Sequence, residues 1–215
     1  MSATALRPPA VALLEIHSLG AALVTLDRVE KSALVQVRQA ELNDFYGLFI
    51  KLTGDAASVR IAVETARSIT QAMKVSLTAD VLDAPDAGAW GVIESPAEYQ
   101  PLIEQDVVFI PARRAQTMNA KSTTPEALGL IETQGFTAVT AATDAACKAA
   151  GVRVIAKEKL GGGYITIIFE GNVAAVTAAV AAGRATAESV GKLISAHVIA
   201  RPSEGVGQIL TRLGK

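Results

Sequence analysis

A single cysteine, Cys147, stands in 215 residues, so the chain has no internal disulfide framework and no multi-cysteine metal site. That cysteine falls inside a helical pattern beside Ala146 and Ala150 and reads as a small buried hydrophobe. Aromatic residues make up only 4 %, which leaves few ring faces for stacking nucleobases. Neither sign of charge dominates, with 20 Lys plus Arg against 21 Asp plus Glu. The chain therefore lacks the field that draws nucleic acid or an anionic membrane, and neither partner is expected. No run approaches the ~20 apolar residues of a membrane span. Residues 1–9 lack the apolar stretch of a secretory signal, so a cytoplasmic chain is expected. His17 and His197 are the only histidines. Neither has a carboxylate or cysteine at metal-ligand spacing, and both read as ordinary polar positions, with no metal expected. No serine sits in a nucleophile elbow and no Ser/His/Asp set emerges. The expectation is a protein that is not an enzyme and carries no cofactor.

What is present is aliphatic and periodic. Half of the residues are hydrophobic, dominated by Ala, Val, Ile and Leu. Residues 152–157 and 165–169 are rich in β-branched and aromatic side chains, as strands are. They flank Gly161-Gly162-Gly163, a connection that reads as a β-hairpin because glycine takes positive φ without a steric cost. Upstream, Phe136, Val139, Thr143, Ala146 and Ala150 recur at helical spacing; downstream, Val173, Val176, Val180, Gly183, Ala187 and Val190 do the same. Outer strands at 128–131 and 193–199 complete the order strand–helix–strand–strand–helix–strand, the ferredoxin-like βαββαβ plan.

The plan occurs twice. Glu15 and Glu132 stand 117 residues apart, and the same offset joins Leu13 to Leu130, Asp27 to Asp144, Lys31 to Lys148, Gly54 to Gly171, Arg67 to Arg184 and Pro85 to Pro202. One register held from first strand to last proline marks two copies of one fold. The first copy is thus expected to place helices at 19–33 and 56–73 and strands at 11–16, 35–40, 47–52 and 75–82. The fold class is α+β: two tandem ferredoxin-like domains, not circularly permuted, at residues 10–86 and 127–215. The connector, 87–126, is long enough to carry structure of its own. Residues 96–105 have the spacing of a short helix, 107–111 form an apolar run suited to a sheet edge, and Trp90 is a candidate anchor. Val206, Ile209, Leu210 and Leu213 suggest a brief terminal helix. The glycine triplet could cradle an anion, but nucleotide fingerprints place glycines between a strand and a helix N-terminus, not between two strands. The paired carboxylates Glu15/Glu132 and Asp27/Asp144 read as structural acceptors for backbone or lysine donors.

Residues 127–136, then Asp144 and Lys148, the run Lys159 to Gly163, Gly171-Asn172-Val173 and Val198-Ile199-Ala200-Arg201-Pro202 together resemble the shell-protein domain of bacterial microcompartments. The resemblance covers the whole domain, and the offset extends it to the first copy. It implies a structural protein of a microcompartment shell, assembling with other shell proteins. Single-domain members form flat hexamers; a tandem chain would close the same outline as a homotrimer, a pseudohexamer. Hairpin loops would line a central pore for small-molecule metabolites: Leu160, Gly161, Gly162 and Gly163 in one copy, Asn43, Asp44, Phe45 and Tyr46 in the other. Asp44 or Phe45 is expected to narrow its neck. Some tandem members hold an iron–sulfur cluster through a loop cysteine, and neither loop here carries one. Lattice-edge contacts are implied for Lys31, Lys148 and Arg201, the last replaced by Ala84 in the first copy. The alternative reading is a soluble regulatory or ligand-binding protein with duplicated ferredoxin-like domains.

Overall fold

The computed structural model describes residues 9–43, 47–94 and 125–213. The first copy runs β1 (Ala10–Ile16), α1 (Leu19–Ser32), β2 (Val35–Asn43), β3 (Gly47–Gly54), α2 (Ala56–Met73) and β4 (Leu77–Leu82). After the short helix α3 (Trp90–Ile93), the second copy repeats the order: β5 (Ala127–Gln134), α4 (Phe136–Ala149), β6 (Arg153–Lys159), β7 (Tyr164–Gly171), α5 (Val173–Val190) and β8 (Lys192–Ala200). Helix α6 (Glu204–Leu213) follows. Each copy forms its own four-stranded sheet, in the orders β2-β3-β1-β4 and β6-β7-β5-β8, with every neighbouring pair antiparallel. The two tandem α+β domains expected from the repeat are therefore present, with their elements in the expected order.

Local chemistry explains the boundaries. Asp55 accepts the N–H groups of Ala57 and Ser58, both at 2.9 Å, at the start of α2, and Asn172 accepts that of Ala175 at 2.8 Å at the start of α5. These are N-caps that satisfy donors the helix leaves free. The Asp55 carboxyl is held below its ordinary pKa, chiefly by the Ser58 hydroxyl and then by the Ser58 backbone. Lys74 closes α2 in the left-handed region at φ 58°. That turn delays β4 to Leu77, two residues later than the periodicity suggests. The hairpin glycines Gly161, Gly162 and Gly163 all have positive φ (43°, 57° and 81°), which is the conformational reason for glycine there.

Alternation of side chains sorts each sheet into two faces. In the second copy Ile131, Ile165, Ile167 and Phe169 turn inward against Val139, Ala142 and Ala146 of α4 and Ala179 and Ala187 of α5. The two helices approach closely at Gly183, where a Cβ would lie 2.4 Å from Ile131 Cδ1 and 2.9 Å from the Ala142 carbonyl oxygen. In the first copy Leu14, Ile16, Ile50 and Leu52 pack with Ala22, Leu26, Val59, Val63 and Ala66. That cluster does not stop at the copy boundary. It takes in Leu128, Leu130, Ala156, Ile168 and Ile199, the outer face of the second sheet by strand register.

The terminal helix appears where Val206, Ile209 and Leu210 predict it, with Val206 and Ile209 buried. The sequence reading missed α3, placing in the connector only a helix at 96–105. The 117-residue register sets α3 against α6, so it is a short repeat of the terminal helix. The expected elements at 96–105 and 107–111 lie outside the described residues.

Candidate assembly surfaces and pore loops

Helix α1 has two buried faces. Ala21, Ala22, Leu26 and Val29 pack into their own copy, while Leu19, Gly20, Leu23 and Asp27 are also buried, on the face turned to the second copy. The close approach is explicit at Gly20, where a Cβ would lie 2.7 Å from Ser195 Oγ and 3.4 Å from His197 Cδ2. The second sheet offers Leu128, Leu130, Ile168 and Ile199 to this helix face, all largely or wholly withdrawn from solvent. The two copies are thus joined head to tail: the helix face of the first meets the sheet face of the second.

Polar ties fix the register of this seam. Glu132, fully buried, accepts the Ser18 hydroxyl, the Ser195 hydroxyl at 3.1 Å and the Leu19 N–H at 3.3 Å. Burial raises its pKa above the usual carboxylate range, while the Ser18 and Ser195 hydroxyls oppose the rise. Asp27 accepts the Ser203 N–H at 2.9 Å and Glu30 that of Gly205 at 3.1 Å. Burial raises the Glu30 pKa too, against hydrogen bonds from Ser203 and Gly205. Lys31 donates to Asp27 at 2.7 Å and to the Ala200 carbonyl at 3.1 Å. Glu132 and Asp27 therefore act as the structural acceptors their positions suggest. His197 lies along the seam, where burial first and the Arg184 charge second press its pKa below the ordinary histidine value.

Each partner in this seam has a copy that is left open. The register carries Leu19, Gly20, Leu23 and Asp27 to Phe136, Thr137, Thr140 and Asp144, and all four are exposed. Leu19 is 0 % exposed and Phe136 51 %, although both begin their helix and both are apolar. On the other side, Leu130, Glu132, Ser195 and His197 correspond to Leu13, Glu15, Thr78 and Asp80, which are partly or fully exposed. Cys147, expected to be buried, is exposed. The reason is its position as the counterpart of Glu30, on an α4 face that none of the described elements covers. Burial and the neighbouring Asp144 charge raise the pKa of its thiol.

The open sheet face is also more polar than its counterpart. Lys51 stands where the second copy has Ile168. It is buried, donating to Gln39 at 2.8 Å and to the Ile93 carbonyl at 2.9 Å, which seats α3 on the first sheet. Arg38 pairs with Glu94 at 2.7 Å beside it.

The residues expected at a lattice edge fall into two places. Lys31, by its bond to Ala200, stands beside the backbone of exposed Arg201. Lys148 is more open, its side chain 74 % exposed and paired with Asp144 at 2.6 Å. The register sets Ala84, not an arginine, opposite Arg201. The glycine hairpin is tied down at its base: Gly135 N–H donates to the Gly163 carbonyl at 2.8 Å and Gln134 Nε2 to that of Gly162 at 3.1 Å. Leu160 is 6 % exposed and packs in the shared core, so its side chain turns inward while the glycines stay at the tip. Asp44, Phe45 and Tyr46 lie outside the described residues, as does the Asn43 side chain. Among the described residues no group of His, Cys, Asp and Glu could hold a metal ion, and no helix is long and apolar enough to cross a membrane.

Each copy is similar in sequence to known proteins. A family model described as the BMC domain matches the chain twice, at residues 10–85 and 127–202. The bacterial microcompartment shell protein PduA of Citrobacter freundii is 47 % identical over 87 residues, 40 % of this chain and 94 % of that protein. The carboxysome shell protein CsoS1A of Hydrogenovibrio crunogenus is 49 % identical over 86 residues, 40 % of this chain and 90 % of that protein. A crystal structure of a microcompartment protein from Desulfitobacterium hafniense DCB covers 93 % of this chain and 98 % of its own. Its identity is 23 % and its TM-score 0.38, a superposition too loose to support an inference.

Proposed function

The chain belongs to the BMC-domain family of bacterial microcompartment shell proteins, a structural and not a catalytic family, and from that footing we propose that three copies close into a flat pseudohexameric ring that tiles a microcompartment shell. Residues 10–86 and 127–215 are its two ring segments and 87–126 their connector. The observation that carries the reading is the seam. An interface that joins unlike surfaces leaves one of each free at opposite ends of the chain, and such head-to-tail contacts build rings when the rotation closes. Here the free surfaces are the register-equivalents of the ones already joined. Three chains supply six segments, the number that single-domain relatives would supply with six chains.

The hairpin loops lie at the ring centre in this reading, and metabolites cross between them. Three loops present the backbone of Gly161 to Gly163; three present residues 43–46. Asp44 or Phe45 narrows the opening, and a neck lined by Asp44 disfavours anions. Lys31 with Arg201, and Lys148 in the pseudo-equivalent place, meet neighbouring rings at the rim, where other shell proteins complete the layer.

Light scattering tests the ring. The expected mass is three times the 22.2 kDa of one chain, with hexagonally ordered sheets by electron microscopy at high concentration. A stable monomer, or a ring of six chains, would refute it.

A further inference from the structure

We propose that Glu15 caps helix α4 of the partner subunit across each joint between chains, as Glu132 caps α1 within the chain. The inference rests on the ring reading and names the residue that closes the ring.

The first N–H groups of a helix have no partner inside it, and the helix dipole favours negative charge at that end. Helix α1 has two acceptors for these groups, one of them a carboxylate. Ser18 accepts the Ala21 N–H at 3.1 Å, and Glu132, delivered by the other copy, accepts the Leu19 N–H at 3.3 Å. Helix α4 has neither. Its N-cap is Gly135 at φ 107°, and no side chain caps it. The first two residues of the helix, Phe136 and Thr137, are exposed.

The missing acceptor stands on the open sheet face. Glu15 occupies the position of Glu132, and its cross-strand neighbour Thr78 occupies that of Ser195. Both copies thus place a hydroxyl residue beside the carboxylate. Glu15 is only half-buried, and no described residue donates it a hydrogen bond. The bare helix end and the unused carboxylate are the two halves of an arrangement that the chain already contains in assembled form. Their surroundings repeat too, with Leu13 standing for Leu130 and Phe136 for Leu19.

One difference sharpens the assignment. Gly135 replaces Ser18, so α4 has no hydroxyl of its own to fall back on. Removing Glu15 would leave the first turn of α4 uncapped, whereas α1 without Glu132 would keep Ser18. The positive φ at Gly135 also disfavours any residue that could cap from within. The joint between chains therefore depends on this carboxylate more than the seam within the chain depends on its equivalent.

The test is hydrogen exchange on the full-length protein, read on peptides covering the first turns of α1 and α4, with ring dissociation followed on dilution. Loss of a cap weakens a helix end by an amount that corresponds to roughly tenfold. Glu15→Ala is expected to speed exchange at residues 136–139 by about that factor, to leave 19–22 unchanged, and to weaken each joint by roughly tenfold. Glu15→Gln keeps an acceptor oxygen and is expected to retain part of both effects, which a general loss of folding would not. If the wild-type ring forms and Glu15→Ala changes neither exchange in α4 nor dissociation, the capping role is wrong and the ring stands. If the wild-type protein is a monomer by light scattering, the ring and the capping role fall together.

Discussion

Glu158 offers a pH-dependent stability that can be worked from its surroundings. It lies in β6 opposite Thr166, which in turn pairs with Glu132, so register sets all three on the outer face of the second sheet. Burial pushes its carboxyl from 4.5 up to about 7. Below pH 4.5 the group is protonated in both folded and unfolded chains and contributes no difference. Between 4.5 and about 7 the unfolded chain releases its proton while the folded chain keeps it, so stability falls as pH rises; above 7 the loss is complete. At 1.36 kcal/mol per pH unit the full rise corresponds to about 3.4 kcal/mol. Water reaches this partly exposed side chain, and screening reduces the expected effect to about 1–2 kcal/mol. Glu158→Gln removes the titration while keeping size and polarity. Denaturant unfolding at one chain concentration should find the variant indistinguishable from wild type near pH 4 and about 1–2 kcal/mol more stable at pH 8. A difference that is flat from pH 4 to 8, or that runs the other way, would refute the reasoning.

Glu132→Ala removes the acceptor shared by Ser18, Ser195 and Leu19 and should cost about 2–3 kcal/mol, since hydrogen bonds to a charged group are among the stronger ones and part of the gain is returned by relieving a buried charge; urea unfolding measures it. Gly183→Leu should cost about 3 kcal/mol by forcing Ile131 and the α4 backbone away from α5, measured as a fall in thermal midpoint, whereas the same side chain should be tolerated at half-buried Gly207, where a Cβ meets nothing within 4 Å. Lys148→Asp should leave the soluble ring intact, because an exposed pair contributes only ~0–1 kcal/mol, yet abolish ordered sheets in electron micrographs, where the small loss repeats at every edge.

Much of this molecule could be read along the chain. Helices and strands follow from side-chain period, which is a local property. The duplication follows from one offset, and the glycine hairpin from a backbone demand that its own residues declare. The family resemblance rested on the order and spacing of such motifs. The assembly surfaces could not be read in the same way. Leu19 and Phe136 are both apolar and both open their helices, yet one is covered and the other is not. Cys147 has the spacing of a buried position and is exposed, because no described element covers its face of α4 as the second copy covers Glu30. Burial of this kind depends on which copy lies against which face, a contact between residues more than a hundred positions apart, as between Ser18 and Glu132. The sequence determined two domains of one register, with many but not all side chains repeated between them. Only the tertiary structure decided which helix face and which sheet face were joined, because the packing of one copy on the other breaks the equivalence that the repeat sets up.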